Sequence, residues 1–362
     1  MKKIITIVMS LLMFMTSVNM AFALERETVS QFSDEKIKID VPYEYPLTPE
    51  DPEWKTIQLK DEKVAKCQIP ENILKRMTTL ALLETVLNYP YFKDYITFDN
   101  YEIAARMMEE NFNGFASLLQ REDLTEVLIM RYNNVCQEML QYTNRSNKNA
   151  LECLMVQNNL EFLMVYDQLK NGIYSGKSAE AIDRLLKVKD ISKKRLGYIS
   201  GDTYERFAGQ VVSPLDVNTT VYTPKGTPVS VIKVTEDYTM EEKAYYDSQL
   251  DSMYPNATRL RSACRKYNCH SYAWYSQASS NSYWMDDPEA YWQDGSYTQH
   301  GQIRPSAGYK ITYGMKLHSG IVYQTSSDVT QILIKSKWGE GGLYLHKIGD
   351  CPYTGLSIMY YK

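Results

Sequence analysis

Beyond its first two dozen residues the chain has no apolar run approaching the roughly 18 residues of a membrane-crossing helix. It has no dominant basic stripe either. Lys and Arg number 40 against 44 Asp and Glu, for a formal net charge of −4. The electrostatic footprint of a nucleic-acid binder is therefore missing. No C-x-x-C or H-x-x-x-H pair occurs, so the spacing that usually marks zinc is absent. No repeat of solenoid kind is visible. Histidine is scarce: four residues, all at or beyond position 270.

What is present begins with a processing signal. Met1-Lys2-Lys3 is a positive n-region, Ile4 to about Met15 an apolar stretch, and Ala21-Phe22-Ala23 a small-residue cleavage site. Residues 1–23 are thus expected to be a signal peptide, and the mature protein to be exported, secreted or cell-wall associated, with no membrane span after cleavage. Six cysteines in an exported chain invite disulfides. Three fall in each half, and Cys264–Cys351 is one possible bridge that would leave Cys269 free.

Residues 24–66 are acidic and punctuated by Pro42, Pro46, Pro49 and Pro52. They read as an extended lead-in packed through Tyr43, Tyr45 and Trp54. Residues 67–200 read as a helical domain. Leu80, Leu83 and Leu87 form one stripe, Leu124 to Met139 a second, and Leu151 to Leu163 a third closed by Asn171-Gly172. From 205 to 362 the pattern turns to a hairpin through Val221–Tyr222 and Val229–Ile232, a helix over Met240–Met253, and closely spaced strands from Lys310 onward. Helices followed by strands make the expected fold class α+β: an all-α bundle and then a domain with an antiparallel sheet.

The chemistry concentrates in that second part. Cys269 follows a cationic stretch (Arg259, Arg261, Arg265, Lys266) and opens a short segment that can be helical. Backbone N–H groups at a helix start favour a thiolate. His318 begins the run His318-Ser319-Gly320-Ile321-Val322, which reads as a buried strand. A base on a strand facing a thiol at a helix start is a rigid arrangement for proton transfer. Trp284 and Trp292, in a polar loop, are the candidate substrate-binding aromatics.

Three motifs in order, Asn268-Cys269-His270-Ser271-Tyr272-Ala273, Gly308–Tyr313 and His318–Val322, resemble those of the papain-like amidohydrolases and peptidases of bacterial cell walls, the NlpC and CHAP families. The resemblance covers about residues 250–345. It implies a nucleophile helix packed on an antiparallel sheet, with Cys269 as nucleophile and His318 as general base. The Cys269 N–H would form part of an oxyanion hole. Ser336-Lys337-Trp338-Gly339 is similar to the Asn-Ser-Trp-Gly of papain-like enzymes and puts Ser336 where the orienting residue would be; Gln331 and His346 are other candidates. The tail, with Tyr254–Arg261 before the Cys and Ser-Lys-Trp-Gly after the His, is also similar to exported proteins of Gram-positive bacteria.

The implied function is a secreted thiol hydrolase of amide or peptide bonds, acting on wall peptides or peptidoglycan, with no cofactor and no nucleic-acid partner. The alternative is a non-enzymatic surface or interaction protein on a degenerate papain-like scaffold. Two metal readings stand beside these: zinc at Cys269, His270, His318 and His346, and calcium at Asp286, Asp287 and Asp294.

Overall fold

The computed structural model describes residues 38–144, 147–172, 174–199, 216–301 and 304–362. The expected signal peptide and the expected domain boundary at 200–205 lie outside the described residues.

The first half is helical because its apolar residues recur at helical spacing between polar caps. Thr78 caps α1 (Thr79–Leu87) by accepting the Ala81 N–H at 3.3 Å. The buried face of α1 is Ala81, Leu82, Leu83 and Val86, while Leu80 is 40% exposed. The expected Leu80–Leu83–Leu87 stripe is thus rotated. Apolar residues lie all round this helix, so spacing alone does not select its inner face. Asn100 caps α2 (Tyr101–Asn111) by accepting the Ile103 N–H at 3.2 Å.

Three longer helices follow: α3 (Leu124–Met139), α4 (Lys148–Asn171) and α5 (Gly176–Leu196). Gly172, at φ 101°, ends α4 where the sequence placed the cap. The three helices meet at a buried ion pair. Lys189 of α5 donates to both carboxylate oxygens of Glu161 on α4 at 2.7 Å, and the Tyr132 hydroxyl of α3 donates to the same group.

The second half is built of antiparallel strands. β1 (Val217–Tyr222), β2 (Pro228–Lys233) and β4 (Tyr283–Trp284) form a small sheet in that order. The larger sheet uses β3 (Thr258–Arg261), β5 (Gln299–Gly301), β6 (Lys310–Tyr313), β7 (His318–Gln324), β8 (Leu333–Lys337), β9 (Leu343–Lys347) and β10 (Ile358–Tyr361). Its order is β3-β9-β8-β7-β6-β10-β5, every pairing antiparallel. Helix α6 (Met240–Met253) opens with a full capping box between Thr239 and Glu242. The arrangement is α+β. Among the described residues, no helix is long and apolar enough to cross a membrane.

The lead-in is folded from residue 38 onward rather than merely extended. It holds short helices at Pro52–Thr56 and Lys60–Lys66 and buries Trp54 completely. Trp54 also donates its indole N–H to the Met253 carbonyl of α6 at 2.9 Å. This contact belongs to a wider seam, because one apolar core runs from Trp54, Phe92 and Phe162 in the first half to Trp338, Tyr344 and Tyr353 in the second. Buried polar contacts stitch the same seam. The Tyr254 hydroxyl donates to Asp94 at 2.7 Å, and Lys60 Nζ donates to the Pro352 carbonyl at 3.0 Å. All six cysteines are free, so the Cys264–Cys351 bridge is not formed.

Candidate active site

Asn268 builds the segment that carries Cys269. Its side-chain oxygen accepts the Ser271 N–H at 3.1 Å, the geometry of an N-cap, so Cys269 occupies the first helical position. The helix is short and passes into a wide turn over Ser271–Tyr275. At its start the Cys269 sulfur receives the backbone N–H groups of Ser319 and His270. The thiol also donates to Asp99 Oδ2 at 3.5 Å. Asn268 Nδ2 holds that same carboxylate oxygen at 2.8 Å and the Met285 carbonyl at 2.7 Å.

Cys269 is 1% exposed. Burial, with the Asp99 carboxylate beside it, pushes the thiol well above its ordinary pKa and outweighs the two N–H donors. The resting sulfur is therefore protonated. Cys136, on α3, is buried too: it donates to the Leu185 carbonyl of α5 and receives Gln157 Nε2 at 3.2 Å, with no carboxylate bonded to its sulfur among the described residues.

His318 starts β7, one residue before the Ser319 amide that meets the sulfur. Alternation along the strand sends the two side chains to opposite faces. Ser319 points at the segment that carries Cys269, where its hydroxyl meets His270 and Trp274. His318 lies on the other face, its ring stacked on Tyr353 with centroids 3.5 Å apart and planes 13° off parallel. Burial holds the imidazole neutral, well below its ordinary value, and the neighbouring His346 and His270 add to the effect. Its Nε2 is buried with no hydrogen-bond partner among the described residues. No hydrogen bond joins Cys269 to His318 there.

Two parallel relays flank this pair. Trp274 Nε1 donates to Ser319 Oγ at 2.9 Å, Ser319 meets His270 Nδ1 at 2.8 Å, and the His270 ring bonds the Lys316 carbonyl. On the other face Trp338 Nε1 donates to Ser336 Oγ at 3.1 Å, Ser336 meets His346 Nε2 at 2.7 Å, and His346 Nδ1 donates to the Lys347 carbonyl at 3.0 Å. Burial lowers both imidazoles to about 4, so each is neutral. Ser336 thus bonds His346 and Trp338, and the expected orienting contact from Ser336 to His318 is not made. The three share one face of the sheet, and Gly320 keeps the intervening position open. A Cβ there would lie 2.7 Å from Ile334 Cγ2 and 3.1 Å from Ser336 Cβ. Gln331 is spent on Thr330.

The two tryptophans separate. Trp284 is fully buried on β4 and packs with Val234 and Ile232. It is core, not a cleft wall, because the polar loop around it folds back as a strand beside β2. Trp292 is half-buried against Trp274 and Tyr361 and lines a groove of about 240 Å³ with Glu289 and Met315. Asp287 and Asp294 are taken up by Lys316 and by Thr223 with Ser296.

For a metal, the close donors among the described residues are Asp99, Cys269 and His270, whose ligand atoms lie within 4.8 Å of one another; His318 and His346 of the expected zinc set are not among them. The His270 ring is committed to Ser319 and Lys316, which leaves the trio poorly suited to an ion. Sequence reasoning missed Asp99 and Tyr353. The pair Asp99-Asn100 signals only a helix start, and nothing local marks a partner 170 positions away. No family model matches the chain, and neither does any curated protein or solved structure.

Proposed function

We propose that the chain is an exported thiol hydrolase of amide bonds whose site is closed in this structure. The observation that carries this is the sulfur at the first position of an Asn-capped helix, receiving two backbone N–H groups, with a neutral imidazole on the adjoining residue of the neighbouring strand. Such donors stabilise a thiolate and then the oxyanion of an addition step. In the reaction His318 takes the Cys269 proton and the sulfur adds to the carbonyl carbon. The C–N bond breaks as His318 returns the proton to the leaving amine. Water then attacks the thioester, His318 moves its proton back to the sulfur, and a carboxylic acid is released. Reaching this state requires His318 to come from its stack on Tyr353 to the sulfur. The papain-like assignment, the export and a wall-peptide substrate rest on the sequence resemblance and the signal-like N-terminus.

The burial of both Cys269 and His318, each 1% exposed, favours a second reading. In it the framework is a packing partner for the helical half, with no turnover. One experiment separates the two: hydrolysis of bacterial wall peptides by the full chain, compared with Cys269→Ser and His318→Ala. The enzyme reading expects turnover in the wild type and a loss of at least about a hundredfold in each variant. Equal turnover in wild type and Cys269→Ser would end the thiol mechanism.

A further inference from the structure

We propose that the helical half carries a latch for this site: Asp99 occupies the place in front of the Cys269 sulfur that a substrate carbonyl would take, and its segment must withdraw before a substrate enters. The inference rests on the thiol-hydrolase reading for the nature of the site it closes.

The Asp99 carboxylate sits where the sulfur and an amide donor converge. A planar carboxylate presents Oδ2 to the sulfur at 3.5 Å and takes a hydrogen bond from Asn268 Nδ2 at 2.8 Å. An amide donor next to a nucleophile is how an oxyanion or a product carboxylate is held. Asp99 is half-buried and its carboxylate contacts the sealed thiol, so it forms part of the cover over the sulfur. The negative charge also keeps the proton on sulfur. With Asp99 withdrawn, its charge no longer opposes the Ser319 and His270 N–H groups, and the sulfur loses part of its cover.

The segment bearing Asp99 is moored to the C-terminal half rather than resting on it loosely. The Glu340 N–H donates to the Ile96 carbonyl at 3.1 Å, and the Tyr353 hydroxyl donates to the Thr97 carbonyl at 2.7 Å. Tyr101 reaches Glu340 at 3.3 Å. Gly339 supplies the seat. At φ 47° it lies so close that a Cβ would be 2.6 Å from the Ile96 oxygen and from Thr97 backbone atoms. The Ser-Lys-Trp-Gly run therefore docks the latch. Tyr353 ties the two closures together, since the ring that stacks on His318 also moors Thr97. Phe98 and Pro352, the chain neighbours of Asp99 and Tyr353, both line a cavity of about 250 Å³.

The test is alkylation of each cysteine in the full chain by iodoacetamide, read by peptide mass spectrometry, with Cys136 as the internal control. Asp99→Ala should raise the rate at Cys269 at least about tenfold and leave Cys136 unchanged. Tyr353→Phe, which removes only the mooring hydroxyl, should raise it several-fold and serves if Asp99→Ala does not fold. A folded variant, by circular dichroism, with the wild-type rate at Cys269 overturns the latch. Wall-peptide hydrolysis measured alongside keeps the two proposals apart. Faster alkylation without turnover in any variant keeps the latch and removes the hydrolase. Turnover in the wild type, with alkylation unmoved by either substitution, keeps the hydrolase and removes the latch.

Discussion

Acid should unfold this protein through its buried histidines, and His346 allows the effect to be measured one residue at a time. In the folded chain His346 is fully buried and neutral, accepting from Ser336 through Nε2 and donating to the Lys347 carbonyl through Nδ1. Its pKa falls from 6.5 to about 4. A lowered histidine pKa means that the unfolded chain takes up the proton first. The stabilisation is fully present above pH 6.5 and is lost as pH falls toward about 4. Between pH 7 and pH 5 one such residue costs about 2 kcal/mol. His270, also lowered to about 4, contributes the same, and His318 adds to it. Asp94 and Asp350 act in the opposite sense, because burial raises both carboxyls and their folded forms bind protons more readily. Comparing His346→Gln with the wild type cancels those terms. Glutamine keeps an amide able to bond Ser336 and does not titrate. Urea unfolding followed by tryptophan fluorescence at pH 7, 6 and 5 should show the wild type losing about 2 kcal/mol more than the variant over that span. Parallel losses in both proteins would mean that His346 is not held neutral, and the account of the relay would fail.

Two further substitutions test the packing. Lys189→Met leaves Glu161 buried without its cation and should cost about 3–5 kcal/mol, most of it recovered in the double variant with Glu161→Gln; a loss below about 1 kcal/mol, by urea unfolding, would count against the ion pair as described. Gly320→Ala forces a methyl onto Ile334 and Ser336 and should cost about 1–3 kcal/mol, whereas a midpoint equal to the wild type would show that the sheet gives way freely there.

The shared core also bears on how the chain is handled. A fragment of residues 205–362 would expose the face that Trp338, Tyr344 and Tyr353 present to the first half. Activity is for that reason best measured on the full chain.

Local chemistry determined a good deal by itself. The Thr239-x-x-Glu242 box and the apolar spacing after it mark α6 at its observed bounds, because a capping box and helical periodicity act within a few residues. Alternating and β-branched runs likewise place β6 and β7 at Lys310–Tyr313 and His318–Gln324. The Asn268-Cys269 pair announces a capped helix start, and that start is formed. β3 was unreadable, since Thr258–Arg261 is polar and mostly exposed and owes its strand form to pairing with β9. The fate of Trp284 was equally hidden, because a tryptophan among Ser, Asp and Tyr looks solvated until β4 pairs with β2 and closes over it. The partners of the thiol were decided only in three dimensions. Whether His318 faces Cys269 depends on strand parity and on what covers each face of the sheet, and Tyr353 covers the face that His318 takes. Asp99 reaches the sulfur because the Ile96–Thr97 backbone lies on Gly339, a contact between the two halves of the chain. Spacing along a sequence encodes which residues share a helix face or a strand face, whereas long-range packing determines which of those faces meet.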